Sequence, residues 1–214
     1  MSPRPRTVSD ERIFAATAGV LTRLGPARLT LADVAGDVGL TAAALVQRFG
    51  SKRQLLLAFV RQGAGMVDND FATARENHSS PLDALVSVAT AMAKGVRSPA
   101  ELVNLLAFLQ IDLSDPEFRR PALMQSRHVL AGYEALLRDA IDVGELVSCD
   151  VPRVARALQA IVSGSLFTWA INRDGRVIPF VSRDVDTLLM PLRPMQPRRR
   201  GQRSRKRPRS RRTL

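Results

Sequence analysis

Apolar residues recur along most of this chain at helical spacing, and no stretch alternates long enough to argue for a sheet. Ser9, followed by Asp10 and Glu11, opens a first helix. Its inner face is Ile13, Phe14, Ala16, Thr17, Val20, Leu21 and Leu24, and Gly25-Pro26 is expected to end it. A short second helix follows, where Thr30 and Asp33 read as a T-x-x-D capping box. Leu31, Val34, Ala35 and Val38 form its apolar side before Gly39 stops it. Thr41 then caps a third helix reaching Phe49, with Ala44, Leu45 and Phe49 on one side and Thr41, Ala42, Ala43, Gln47 and Arg48 on the other. Gly50-Ser51-Lys52 opens the fourth, with Ser51 and Gln54 as a second capping box.

The fourth helix reads as a connecting rod from Lys52 to about Ala74, apolar at Leu55, Leu56, Phe59, Val60, Met66, Val67 and Phe71. Three later starts share one grammar of a capping residue followed by proline: Ser80-Pro81, Ser98-Pro99 and Asp115-Pro116. They delimit helices near 81–96, 99–113 and 116–142. Gly144 breaks the chain, Asp150-Val151-Pro152 opens a helix reaching Arg173 with Gly175 as its stop, and a last helix is expected at about 182–191. The expected fold is all-α, an N-terminal three-helix helix-turn-helix domain followed by a C-terminal helical domain.

A helix entering the major groove must bring its first turn close to base edges. Ala42 and Ala43 permit that approach, and Thr41 and Gln47 offer hydrogen bonds. Lys52, in the first turn of the next helix, joins a cation to free N–H groups, a combination suited to a phosphate. Residues 12–56 resemble the DNA-binding domain of the TetR family of bacterial transcriptional regulators. The resemblance is carried by Arg12-Ile13 with Ala15-Ala16, Gly25, Thr30 with Asp33-Val34-Ala35, Gly39-Leu40-Thr41, Leu45, and Phe49-Gly50-Ser51-Lys52 with Leu55-Leu56. Where the family usually has a glycine and then a tyrosine, this chain has Ala43 and Val46, which removes one expected phosphate contact.

With that resemblance the chain divides into a basic arm at 1–8, a DNA-binding domain at 9–56, a ligand-binding and dimerisation domain at 57–192 and a basic tail at 193–214. The DNA-contacting residues are expected to be Thr30, Thr41, Ala42, Ala43, Gln47, Arg48 and Lys52. The resemblance implies a homodimer that reads a near-palindromic double-stranded operator and answers to a small-molecule effector. The helix from Pro152 is apolar around nearly its full circumference, so it needs cover on two sides. Leu158, Ile161, Gly164 and Phe167, with Leu188 from the last helix, are the expected dimer contacts, in the place where relatives pair. Met92, Asn104, Phe108, Met124, His128 and Trp169 are the candidate pocket residues, although a methionine and aromatic stripe at helical spacing also reads as plain core.

Composition changes this picture in two places. The formal net charge is +12, but 11 of the 32 basic residues lie in 193–214 with no acid, leaving 21 basic against 20 acidic in the rest. Proline-rich and without apolar periodicity, that tail is expected to be disordered. Cys149 is the only cysteine among 214 residues, so no intrachain disulfide forms; the start MSPRPRTVSDER has no apolar signal segment, and a cytoplasmic protein is expected. The uncharged run 157–172 is shorter than a bilayer requires, so no membrane partner is expected.

Catalytic motifs such as H-E-x-x-H, C-x-x-C and G-x-S-x-G are absent, and His78, His128 and Cys149 do not make a metal site by spacing. The expectation is a regulator and not an enzyme, with no cofactor and no metal. Two alternatives stand beside it: an all-α enzyme using the C-terminal cavity, and a non-specific nucleic-acid-coating protein acting through the tail.

Overall fold

The computed structural model describes residues 8–195, and every regular element among them is a helix. The order is α1 (Asp10–Arg28), α2 (Leu31–Val38), α3 (Ala42–Phe49), α4 (Lys52–Asn77), α5 (Pro81–Ala91), α6 (Pro99–Ser114), α7 (Pro116–Asp142), α8 (Val151–Asn172) and α9 (Val177–Leu189). A 3-10 turn, Met92–Gly95, extends α5. The caps explain most of these boundaries. Ser80, Ser98, Asp115 and Asp150 each accept a backbone N–H from the first turn that follows, so orphan donors are satisfied where the sequence changes from loop to helix.

Four local readings change. Gly25 (φ 73°) breaks α1, but Pro26 starts one further turn to Arg28. Ser51 accepts the Gln54 N–H at 3.2 Å, and the reciprocal half of a capping box is not among the described hydrogen bonds. The left-handed residue ending α8 is Arg173 (φ 54°), with Gly175 (φ 67°) in the link beyond it. α9 begins at Val177, before the expected 182, because Arg176 provides no side-chain cap to mark the start. Pro179 is tolerated there, since first-turn N–H groups have no intrahelical partner.

The helices enclose two cores. One gathers Ile13, Val20, Leu29, Val34, Leu45, Leu55 and Leu57, closed from above by Phe108 of α6 and Phe118 of α7. The other gathers Val67, Phe71, Leu85, Tyr133, Leu136, Leu158, Val162 and Leu189. α4 supplies residues to both, so the boundary drawn at 56 falls inside a helix that serves the two domains. Its far half meets α7 at Gly132, where an added Cβ would stand 2.6 Å from the Phe71 ring. That ring is in turn held edge-on to Tyr133, with centroids 5.5 Å apart.

α8 is long and apolar enough to cross a membrane by length and composition alone, a longer segment than the uncharged run suggested. It packs instead on α7 and α9 through Leu158, Val162, Leu166 and Trp169. Only one face is covered in this way. Phe167 is 45% exposed and Ile171 80% exposed on the other.

Gly132→Ala sets two effects against each other. Alanine gains about 1 kcal/mol of helix propensity, whereas overpacking against a buried ring costs roughly 1–3 kcal/mol. The variant should melt a few degrees lower, while Gly36→Ala, with nothing near its added Cβ, should melt slightly higher. Equal gains from both substitutions in thermal unfolding would contradict the close approach of α4 to α7.

The capping box of α2 gives a second expectation. Asp33 accepts from the Thr30 hydroxyl at 2.6 Å and from its backbone N–H at 2.9 Å, and these bonds lower its carboxyl pKa. Arg53 does the same for Asp115 at the start of α7. Lowered carboxyls bind fewer protons in the folded state, so their stabilisation is full above the unfolded pKa of about 3.9 and is lost as pH falls through the folded values. Thr30→Ala should cost about 1 kcal/mol near neutrality and narrow the stability difference between neutral and acidic buffer, measured by denaturant unfolding. A variant as acid-sensitive as the parent would contradict this assignment.

Candidate nucleic-acid interface

The corner between α2 and α3 is built on backbone chemistry. Gly39 takes the left-handed conformation (φ 73°), and Leu40 donates its N–H to Ala35 O at 2.9 Å, closing the end of α2. Leu45, fully buried, anchors α3 to the first core, and burying such a side chain is worth about 1.5–3 kcal/mol. Phe49 adds a tilted contact on Phe14 with centroids 5.8 Å apart. With that side fixed, Thr41, Ala43, Val46 and Gln47 are exposed and Ala42 is half-buried. The Thr41 hydroxyl accepts the Ala44 N–H at 3.2 Å and keeps its own O–H to donate elsewhere.

The neighbouring cations are less independent than the sequence implied. Arg48 donates to Val8 O at 2.6 Å and pairs with Asp10 at 2.8 Å, so it fixes the root of the N-terminal arm against α3. Lys52 donates to Ala27 O at 3.2 Å, answering a carbonyl at the end of α1, and an ammonium has two further protons to offer. Thr30 is engaged with Asp33 in both directions. Arg4 and Arg6 of the arm, and the tail from 196 onward, lie outside the described residues.

Two contacts that sequence reading missed hold this domain to the rest. The Asn104 amide on α6 donates to Thr22 O at 2.9 Å and Arg23 O at 3.1 Å, the carbonyls left open where Gly25 breaks α1. Gly25 is required there twice, for its positive φ and because an added Cβ would meet Asn104 Oδ1 at 2.7 Å. Arg53, beside Lys52, binds Asp115 and Glu117 at the start of α7 and lies 5.2 Å from the centroid of the Phe118 ring. No spacing rule could have joined residues more than 60 positions apart.

The candidate pocket residues do not converge. Asn104 is the α1 anchor just described, and Phe108 belongs to the first core. Trp169 donates its indole N–H to Gly175 O at 3.1 Å near the start of α9, and the side chain of Met92 is outside the described ones. Met124 and His128 share a groove between α4 and α7, with His128 Nδ1 2.9 Å from Asp68. A different cleft, of about 400 Å3, lies between α4, α5 and α7 and is lined by Asp70, Phe71, Asn77, His78, Gln125 and Tyr133 among others. The Tyr133 hydroxyl is buried without a partner, and burial pushes the phenol up to about 12. The sequence signal for this cleft was Asp70, Thr73 and Asn77, polar positions repeating along α4 beside Val67, Phe71 and Ala74.

Of the expected dimer contacts, Leu158 is fully buried within the chain's own core and presents nothing outward. Ile161, Gly164 and Leu188 line one open groove between α8 and α9, with Phe167 exposed nearby on α8. Among the described residues no three His, Cys, Asp or Glu side chains are grouped to hold a metal ion.

The geometry agrees with what the chain is similar to. Residues 13–59 match the family model described as bacterial regulatory proteins, tetR family. No curated protein matches the chain in sequence. Among solved structures, a TetR transcription regulator from Haloarcula marismortui superposes with a TM-score of 0.69 at 20% identity, covering 86% of this chain and 98% of the other. SmeT, the repressor of the Stenotrophomonas maltophilia multidrug efflux pump SmeDEF, gives 0.59 at 23% identity, with 88% and 92% covered. The regulator FadR from Bacillus subtilis, in complex with stearoyl-CoA, gives 0.61 at 16% identity, with 85% and 98% covered. The chain thus carries the N-terminal domain of the tetR family of bacterial regulatory proteins, at residues 13–59, and holds it on the fold of TetR-family transcriptional regulators.

Proposed function

We propose that this chain is a sequence-specific DNA-binding repressor, acting in the cytoplasm as a homodimer and releasing its operator when a small molecule occupies the cleft between α4, α5 and α7. The observation that carries the reading is α3: one side is anchored by buried Leu45, and the other presents Thr41, Ala43, Val46 and Gln47. Small side chains let that face approach base edges, Gln47 offers an amide matched to adenine, and Val46 offers apolar contact to a thymine methyl. Lys52 and the Arg48-braced arm flank it as phosphate contacts that position without specifying. SmeT is named a repressor, which supports the sign of regulation.

A dimer presents two such helices one turn of DNA apart, about 34–36 Å. The α8–α9 face supports pairing there, because Ile161, Phe167 and Ile171 leave an apolar helix half covered around the open Gly164. For the effector, the unpartnered Tyr133 hydroxyl calls for an acceptor, and the rim of Asp70, Asn77, His78 and Gln125 provides polar contacts around an apolar floor. FadR was solved with stearoyl-CoA, which supports ligand binding on this fold without naming the ligand here. The basic tail adds non-specific attraction to phosphate in this reading.

Gln47→Ala should relax the preferred sequence at some operator positions, at a cost of about 1–3 kcal/mol, whereas Lys52→Ala should weaken all sequences alike. Selection from random DNA with each variant separates the two. An unchanged motif and affinity in both would remove α3 from the groove.

Gly164→Glu has room in the single chain, with nothing within 4 Å of its added Cβ, so its effect should be confined to assembly. A charge forced into an apolar pair contact is expensive. Sedimentation should give monomers of unchanged helicity with operator binding lost. A dimer of normal affinity would move the interface elsewhere.

A further inference from the structure

The second groove along the α4–α7 seam is separate from the Tyr133 cleft. It has a volume of about 650 Å3 and is lined by Arg61 and Gly65 of α4 and by Pro116, Glu117, Arg120, Pro121, Met124 and His128 of α7. On α7 its residues Pro121, Met124 and His128 follow one another at helical spacing. The Tyr133 cleft uses Gln125, Val129 and Tyr133, on another face and further along the helix.

The charges of this groove are unbalanced in a specific way. Both carboxylates at its edge are already engaged: Glu117 by Arg53 at 2.5 Å, and Asp68 by His128 at 2.9 Å. Arg61 and Arg120 enter no ion pair among the described residues, and both are exposed. The surface between them is apolar, made by Pro116, Pro121, Gly65 and a Met124 that is 43% exposed. Two uncommitted guanidiniums over an apolar trench match a ligand with one anionic head and a hydrocarbon body. Guanidinium forks bind carboxylates with paired, charge-assisted hydrogen bonds, and the methionine thioether adapts to an alkyl chain.

We infer that the Arg61–Arg120 groove is a second binding site, specific for amphipathic carboxylates such as medium-chain fatty acids, with the arginines on the head group and Met124 on the chain. The inference does not depend on the repressor reading or on the Tyr133 cleft. Its position does carry a consequence for regulation. Glu117 faces the groove and also holds Arg53 in the first turn of α4, so an anion bound beside it competes for the field of that ion pair.

The test is decanoate against decanol, which share a chain and differ in the charged head. Both are titrated into the full chain with methyl-labelled methionine, the Met124 signal being assigned by its loss in Met124→Leu. Decanoate should shift that signal saturably and bind about tenfold or more tightly than decanol, as expected for a charge-assisted contact. The double variant Arg61→Gln, Arg120→Gln should bring decanoate down to the level of decanol, whereas Arg61→Lys, Arg120→Lys should keep most of the preference. Tyr133→Phe should change nothing. Equal affinity for the two probes, a preference that survives the glutamine pair, or decanoate binding that depends on Tyr133 would each overturn the assignment.

Discussion

α4 is one continuous helix whose ends belong to different cores, and its seam with α7 is the contact on which the rest of the fold depends. At its start, Leu55, Leu56 and Leu57 help to close the core that buries Leu45 of α3, so the direction of α4 sets the direction of the exposed α3 face. Towards its end, Phe71 presses on Gly132, a contact with no room for a side chain. Interiors packed this closely do not deform gradually. A change in the seam between α4 and α7 therefore displaces the rod as a unit and is felt at the corner of the helix-turn-helix.

Two polar clasps determine what the rod can carry with it. Asn104 binds the carbonyls exposed by the break at Gly25, so α1 follows α6. Arg53 binds Asp115 and Glu117, so the first turn of α4 follows the start of α7. Exposed ion pairs contribute little to stability taken singly. Here the cation also stacks on Phe118, whose ring is fully buried, and the pairing matters for geometry more than for folding energy. Both grooves along the α4–α7 seam lie beside these clasps, which gives a bound molecule a short mechanical route to α3.

The sequence was most legible where chemistry is local. Caps read from single residues, such as Thr30, Ser98 and Asp115, lie where helices begin, because an N-cap bond spans only three residues. The start of α9 was missed for the same reason, since nothing at Arg176 caps it. Sites assembled from distant helices were less legible. Asn104 and Phe108 have pocket-like side chains, yet one serves the broken end of α1 and the other the first core, a distinction that depends on how α6 lies across α1. Leu158 shows the limit of an all-apolar helix: periodicity announced two faces to be covered without saying which residues turn inward. The cation pair of the α4–α7 groove was invisible in sequence, because its meaning rests on which neighbouring carboxylates are already bound.

The central claim is that the exposed side of α3 reads DNA as one of two symmetric copies. Purified full-length protein should be incubated with random double-stranded DNA, and the retained sequences determined through successive rounds of selection. The account predicts a near-palindrome whose half-sites are centred one helical turn apart, about 34–36 Å, or a multiple of it. Retention of DNA without any enriched sequence would contradict it, leaving only charge-driven binding to the phosphate backbone.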